Sequence, residues 1–360
     1  MTRTSLVAGM LVVSLGAAAA QQADITNARV ETRTAGTIEQ AIADVGGTTT
    51  DPVWVGWRVP MMPGLGDRCG TWSDGIATTR MAMLEEGPRE RAPIAAPSAP
   101  RVAALEAGTG LSIWIRVVDG AAERLRAVSD DCPIDGGGRR LIQLDGIAPA
   151  DSLRFLDTLR ASSTLSPDAQ RRLTSAAVGA IAQHAAGEAD ALLDRHLAAP
   201  ATDEALRTAA ATWTARARGA RGLSRLAALM ETSGDEALRR TVATAIAQSP
   251  QPEALSTLWR LASTDRDEHV RAAAASGYAI QAPDGAPIDQ LTTRLAAESS
   301  DVVKRQIIRG IARRPADTGV PTLVNLARTS RDQVVRVEAV RALSRTNHPA
   351  AMAYLVEVLR

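Results

Sequence analysis

The chain has 360 residues, enough for two domains and a sizeable buried core. Its 41 basic and 40 acidic residues nearly cancel, which excludes a global field of the kind that gathers nucleic acid or a membrane surface. Aromatic residues make up only 2%, and four of the six Trp fall in the first 114 residues, so the two halves are expected to pack by different rules.

Residues 1–20 read as a signal peptide. Met1-Thr2-Arg3 is a short basic start, Leu6 to Leu15 is apolar, and Ala18-Ala19-Ala20 offers small residues for cleavage before Gln21. The alternative is a membrane anchor. The apolar run is about ten residues, however, and a spanning helix needs about 20. No Cys follows the run and no twin Arg precedes it. The expectation is an exported, periplasmic chain of bacterial type, with secretion as the alternative and no transmembrane segment after cleavage.

Residues 21–148 read as a β-rich domain. VETRT (30–34) alternates, PVWVGWRV (52–59) is aromatic and β-branched, and LSIWIRVVDG (111–120) runs into a turn at Asp119-Gly120. ERLRAVS (123–129) follows in phase, which predicts a hairpin. RRLIQLDG (139–146) is a further strand. GPRERAPIAAPSAPR (87–101) has four Pro and no periodicity, and reads as a loop or extended excursion.

Cys69 and Cys132 lie outside both the leader and the helical half. In an oxidising compartment two thiols most simply form one disulfide. A metal pair is the rival, but all four His lie in the second half, so no mixed Cys/His cluster is adjacent in sequence. Asp130, Asp131 and Asp135 surround Cys132 at a spacing that misses the EF-hand loop. DGGGRR (135–140) leads into a strand rather than a helix, so it reads as a turn and not as a phosphate loop.

Residues 151–360 repeat. DEALR at 203–207 recurs at 235–239, and DEHVR follows at 267–271, each 32 residues on. Arg207, Arg239, Arg271, Lys304 and Arg336 share one position, at spacings of 32, 32, 33 and 32. Each leads into an apolar helical register, with Gly277, Gly310 and Ala342 six residues on, small enough for close helix approach. A second helical segment precedes each anchor, and Pro252, Pro287, Pro321 and Pro349 sit at or near its start. Asp203, Asp235, Asp267 and Asp332 stand where the second helix begins, placed to cap free N–H groups and complement the helix dipole. The base four residues later lies on the same face, within reach of its own Asp or of an acid in a neighbouring repeat.

Helix pairs at this period mean a solenoid, here of six pairs beginning near Asp151, Gly187, Gly219, Pro252, Pro287 and Gly319. Trp213, six residues after Arg207, departs from the small residues that later repeats carry at that place. AMAYLVEVL (351–359) is a further first helix, read as an end cap or an apolar edge. The Asp and Arg at the start of the second helix resemble the short bacterial form of the HEAT-repeat family. With the aromatic strand, the two Cys and the domain order, the whole chain resembles exported HEAT-repeat proteins with a small β domain in front. The resemblance implies a two-layer α-superhelix whose second helices line the inner face. It also implies a protein-binding scaffold rather than a reaction.

No GxSxG, HExxH, Walker loop or CxxC is present, and no metal or other cofactor is expected. The sharpest surface feature lies between Asp301 and Arg345, with ten Lys/Arg against four Asp/Glu. Arg305, Arg309 and Arg313 recur every four residues, and Arg341 and Arg345 repeat the last two of them one unit on. They predict a basic block for an acidic partner, against the plainer reading of a solvated Arg-rich face. Aromatic interleaving is absent, which argues against nucleic acid. The expected fold class is α+β, a small β-rich domain followed by an α-α superhelix. The expected function is a non-enzymatic protein-binding scaffold. An envelope polymer- or lipid-contacting module and an enzyme at the domain junction are the alternatives.

Overall fold

The computed structural model describes residues 24–34, 36–46, 51–65, 69, 81–85, 109–160, 165–200, 203–283 and 288–360. The expected leader at 1–20, the Pro-rich stretch at 87–101 and Pro287 lie outside them.

Among the described residues, eight strands form the first part: β1 (Ile25–Thr26), β2 (Arg29–Thr34), β3 (Val53–Pro60), β4 (Ala82–Met83), β5 (Gly110–Val118), β6 (Ala121–Ser129), β7 (Ile134–Asp135) and β8 (Arg140–Asp145). The central sheet runs β2-β8-β3-β5-β6, with β8 parallel to both its neighbours and β3-β5-β6 antiparallel. The hairpin closes at Val118 opposite Ala121, and Asp119 (φ 48°) and Gly120 (φ 74°) take the left-handed conformations that a type I′ turn demands. A smaller sheet, β1-β7-β4, covers one face of the central sheet and packs Ile134, Ala82 and Leu84 on Trp54, Trp114 and Leu141. Both faces of β3 are therefore buried, which is why its sequence is apolar almost throughout. Gly56 is required there: a Cβ would fall 2.3 Å from the Trp114 ring.

The other face carries Val53, Val55, Trp57, Ile113 and Ile115 onto helices. One of these, α1 (Ile38–Gly46), was not anticipated. Its buried residues Ile38, Ala41, Ile42 and Val45 have the three-and-four spacing of a helix face, overlooked between two strand-like stretches. Behind β8 come α2 (Pro149–Thr158) and α3 (Pro167–Gln183). The Trp57 ring meets Phe155 edge-on at 5.7 Å, and backbone bonds run from Met62 N–H to Gln183 O (2.7 Å) and from Ala185 N–H to Pro60 O (2.9 Å). A single apolar core runs from Ile38 through the sheet to Tyr354. The sheet thus covers the first end of the helical stack.

The stack continues with α4 (Glu188–Leu197), α5 (Glu204–Ala217), α6 (Gly219–Thr232), α7 (Glu236–Ile246), α8 (Glu253–Thr264), α9 (Glu268–Gln281), α10 (Ile288–Ala297), α11 (Asp301–Ile311), α12 (Ala316–Thr329), α13 (Gln333–Leu343) and α14 (Pro349–Val358). From α2 to α13 these are six pairs, with α14 as a further first helix, and the α+β expectation holds. One detail differs. Pro321 sits inside α12, which begins a turn earlier at Ala316. Gly319 makes that earlier start passable, since a Cβ there would lie 2.7 Å from Ile311 O.

Consecutive second helices (α3, α5, α7, α9, α11, α13) pack on one another along the whole stack, while the first helices touch each other less. The second helices are thus the more tightly packed layer. Small residues make it tight: a Cβ on Gly277 would lie 2.6 Å from Ala247 Cβ, and one on Gly310 2.7 Å from Ala279 Cβ. The Trp213 exception in α5 is met by Gly179 of α3, where a Cβ would be 2.6 Å from the indole. Among the described residues no helix is long and apolar enough to cross a membrane.

Candidate interaction surface

The acid–base pentapeptide becomes a ladder between repeats. Asp203, Asp235, Asp267 and Asp332 each stand at a helix N-cap and accept backbone N–H groups, from Leu206 (3.3 Å), Leu238 (3.0 Å), His269 (2.7 Å) and Val334 (2.8 Å) respectively. The base four residues on reaches forward to an acid of the next repeat. Arg207 meets Asp235 at 2.6 Å, Arg239 meets Asp265, Arg271 meets Glu298 at 3.1 Å, and Lys304 meets Asp332 at 2.6 Å. Arg336, in the last pair, donates instead to the carbonyls of Ser330 (2.9 Å) and Arg331 (3.0 Å).

The rungs carry electrostatic signatures. Burial alone would raise the Glu298 pKa, but hydrogen bonds from Arg271 and Ser300 N–H, together with the Arg294 charge, hold it below the usual range. The Leu238 N–H first, and Arg207 second, keep Asp235 low. Lys304 is raised by its bond to Asp332.

A second ladder escaped the sequence reading. Arg218 Nη1 donates to Ala182 O (3.2 Å) and His184 O (2.7 Å), Gln281 Nε2 to Ala247 O (2.8 Å) and Ser249 O (3.0 Å), and Arg314 Nη1 to Ala282 O (3.0 Å) and Pro283 O (3.1 Å). Each satisfies orphan carbonyls at the end of the preceding second helix. The signal was available: a long donor ten or eleven residues after the anchor.

At the junction of sheet and solenoid, Trp57 Nε1 donates to Ser152 Oγ (2.8 Å), which also lies 3.2 Å from His184 Nε2. Burial, and next the Arg218 charge, push the His184 pKa down to about 4. Ser152 and His184 are both 0% exposed, so no substrate reaches the pair in this conformation. Among the described residues no group of three His, Cys, Asp or Glu could hold a metal ion. Cys69 and Cys132 are joined, with an S–S distance of 2.05 Å and a Cα–Cα distance of 5.0 Å.

The basic residues belong to the second-helix layer, Arg305 and Arg309 in α11, Arg341 in α13, and Arg313 and Arg345 in the turns that follow. Arg309, Arg313, Arg341 and Arg345 are exposed and Arg305 is half-buried. Helix α11 packs on α13, so Arg309 stands beside Arg341 in the repeat frame and Arg313 beside Arg345. The last two occupy equivalent turns, with Arg313 N–H on Gly310 O and Arg345 N–H on Ala342 O. Arg341 is paired with Glu338 of its own helix.

This architecture of paired helices, inter-repeat ion pairs and small-residue contacts coincides with a family match. Residues 189–279 and 288–360 match the family model of HEAT repeats. The C-terminal region is a HEAT-like repeat array. No curated protein matches the chain. The HEAT match begins at α4, so the pair α2–α3, welded to the sheet, lies outside it. HEAT repeats in general suggest a protein-interaction scaffold.

Proposed function

We propose that this chain is an exported, non-enzymatic scaffold that binds another protein through the inner face of its HEAT solenoid. The block of Arg305, Arg309, Arg313, Arg341 and Arg345 receives an acidic surface of that partner. The observation that carries this reading is the contrast between two sets of bases. Arg207, Arg239, Arg271 and Lys304 are spent on acids of the next repeat. The exposed arginines of α11 and its following turn are matched by no acid among the described residues. The anchors and caps are structural, fixing the register of the repeats. Export is supported by the N-terminal pattern of residues 1–20 and by the joined cysteines.

The test is a pull-down from the exporting cell with wild-type protein and with Arg309→Glu/Arg341→Glu, across a salt series. Loss of a specific captured protein in the variant, and its release as salt screens the contact, are expected. An unchanged capture profile would remove the basic block from the function.

A further inference from the structure

The last described helix pair carries an open rung. Arg271 anchors itself by Nη1, which donates to Asp265 O (2.9 Å) and Arg266 O (3.3 Å). Its Nε and Nη2 are then free to hold both oxygens of Glu298, at 3.3 and 3.1 Å. Arg336 repeats the first half of this arrangement, with Nη1 on Ser330 O (2.9 Å) and Arg331 O (3.0 Å). Its Nε and Nη2 meet no acceptor among the described residues. The guanidinium is thus held in place with a two-pronged donor left over, which matches one carboxylate.

The surface beside it is open in the same sense. The position four residues after each anchor lies on the anchor's own helix face. Ala211, Ala243, Ala275 and Ile308 fill it in the earlier pairs and are buried, whereas Val340 is half-buried. Among the first helices, Ala262, Leu295 and Ala327 recur at intervals of 33 and 32 residues and are buried. Val358 follows 31 residues on and is 57% exposed. Met352 and Val356 of α14 are exposed with it. In a repeat stack each layer buries its neighbour's face, so this is a face shaped to receive another helix.

We infer that it docks a helix of another protein, with a carboxylate at the helix start on Arg336 and an apolar side on Val340 and Val358. The forks already filled in this chain define that chemistry. Asp235 and Asp332 are N-caps, and Asp265 and Glu298 stand two residues before the N-caps Asp267 and Ser300. A second copy does not supply it. Two-fold pairing of this face would bring two Arg336 side chains to one seam. The acids of α13 and α14 are already held, Glu338 by Arg341 and Glu357 by Arg328. The site is separate from the block around Arg309 and goes beyond the function proposed for it.

The experiment uses the full chain and fluorescence anisotropy. The labelled probes are hydrocarbon-stapled helices with the sequences of residues 298–312 and 330–344, whose acids fill the forks of Arg271 and Lys304 within the stack. Each is paired with a neutral version, Glu298→Gln or Asp332→Asn. At least one acidic probe is expected to bind about tenfold tighter than its neutral version, the scale of a hydrogen bond to a charged group. Arg336→Gln in the full chain is expected to abolish that difference. Val358→Gln, at an exposed position that folding does not depend on, is expected to weaken both versions by about tenfold. Arg309→Glu/Arg341→Glu is expected to keep the difference. Binding of neither probe, or equal affinity for acidic and neutral versions, would overturn the proposal. Loss of the difference in Arg309→Glu/Arg341→Glu but not in Arg336→Gln would assign the carboxylate to the basic block instead. A dimer in sedimentation that Val358→Gln dissociates would make the occupant a second copy and refute the choice of another protein.

Discussion

Removing the carboxylate of Asp265 tests the physical nature of the ladder. Its pair with Arg239 is the most enclosed rung, the two side chains being 4% and 7% exposed. Asp265 also accepts the Asp267 N–H at 3.0 Å. Asp265→Ala leaves a guanidinium buried without its counter-charge, a change that costs on the order of 3–5 kcal/mol. Replacing both partners, as in Arg239→Met/Asp265→Ala, removes the stranded charge and is expected to cost about 1–2 kcal/mol less than the single change. Arg239 Nε already lacks a hydrogen-bond partner, so the intact pair does not fully offset its own desolvation. Equilibrium urea unfolding followed by circular dichroism, with hydrogen exchange to localise the loss at α7–α9, reads both variants. A single-variant cost below about 1 kcal/mol would show the rung to be ordinary solvated charge. It would also refute the reading of the repeat anchors as buried register pins.

Other perturbations probe other layers. His184 has a folded pKa near 4 against 6.5 for the free side chain, so between these values the unfolded chain binds more protons. Stability is expected to fall by on the order of 3 kcal/mol as pH drops through that window and to level off below it; His184→Gln, melted across the same pH series, should lose this slope. Cys69→Ser/Cys132→Ser opens a loop with a sequence separation of 63 residues. It is expected to cost about 4 kcal/mol in the chain-entropy description, measured by chemical unfolding of the two proteins under non-reducing conditions. Gly310→Leu drives atoms into Ala279 of the neighbouring helix and should destabilise by about 1–3 kcal/mol in thermal melts; the same change at Gly234, where an added Cβ meets nothing within 4 Å, should cost less.

The solenoid was legible because its physics is periodic. An Asp cap in four of the six second helices, a base at one position in the last five and a small residue beyond it in the last four recur as the chain adds layers, and the helix pairs begin within three residues of the expected points. What was not legible depended on partners distant in sequence. No local pattern says that β8 pairs in parallel with both β2 and β3, or that Gly56 exists to clear Trp114. The strands β1, β4 and β7 have two residues each, too short for any alternation to show. Which acid each anchor meets was also open. Two rungs use the next N-cap, Asp235 and Asp332, and two use an acid two residues before it, Asp265 and Glu298. That choice depends on how each loop presents its carboxylates.

The function rests on where a partner touches the protein, and hydrogen–deuterium exchange with and without a bound acidic ligand measures this directly. Slowed exchange confined to α9, α11, α13 and the turns that follow them is the expected result. Slowed exchange on the central sheet or on the outer first helices, with α11 and α13 unchanged, would contradict recognition by the inner face.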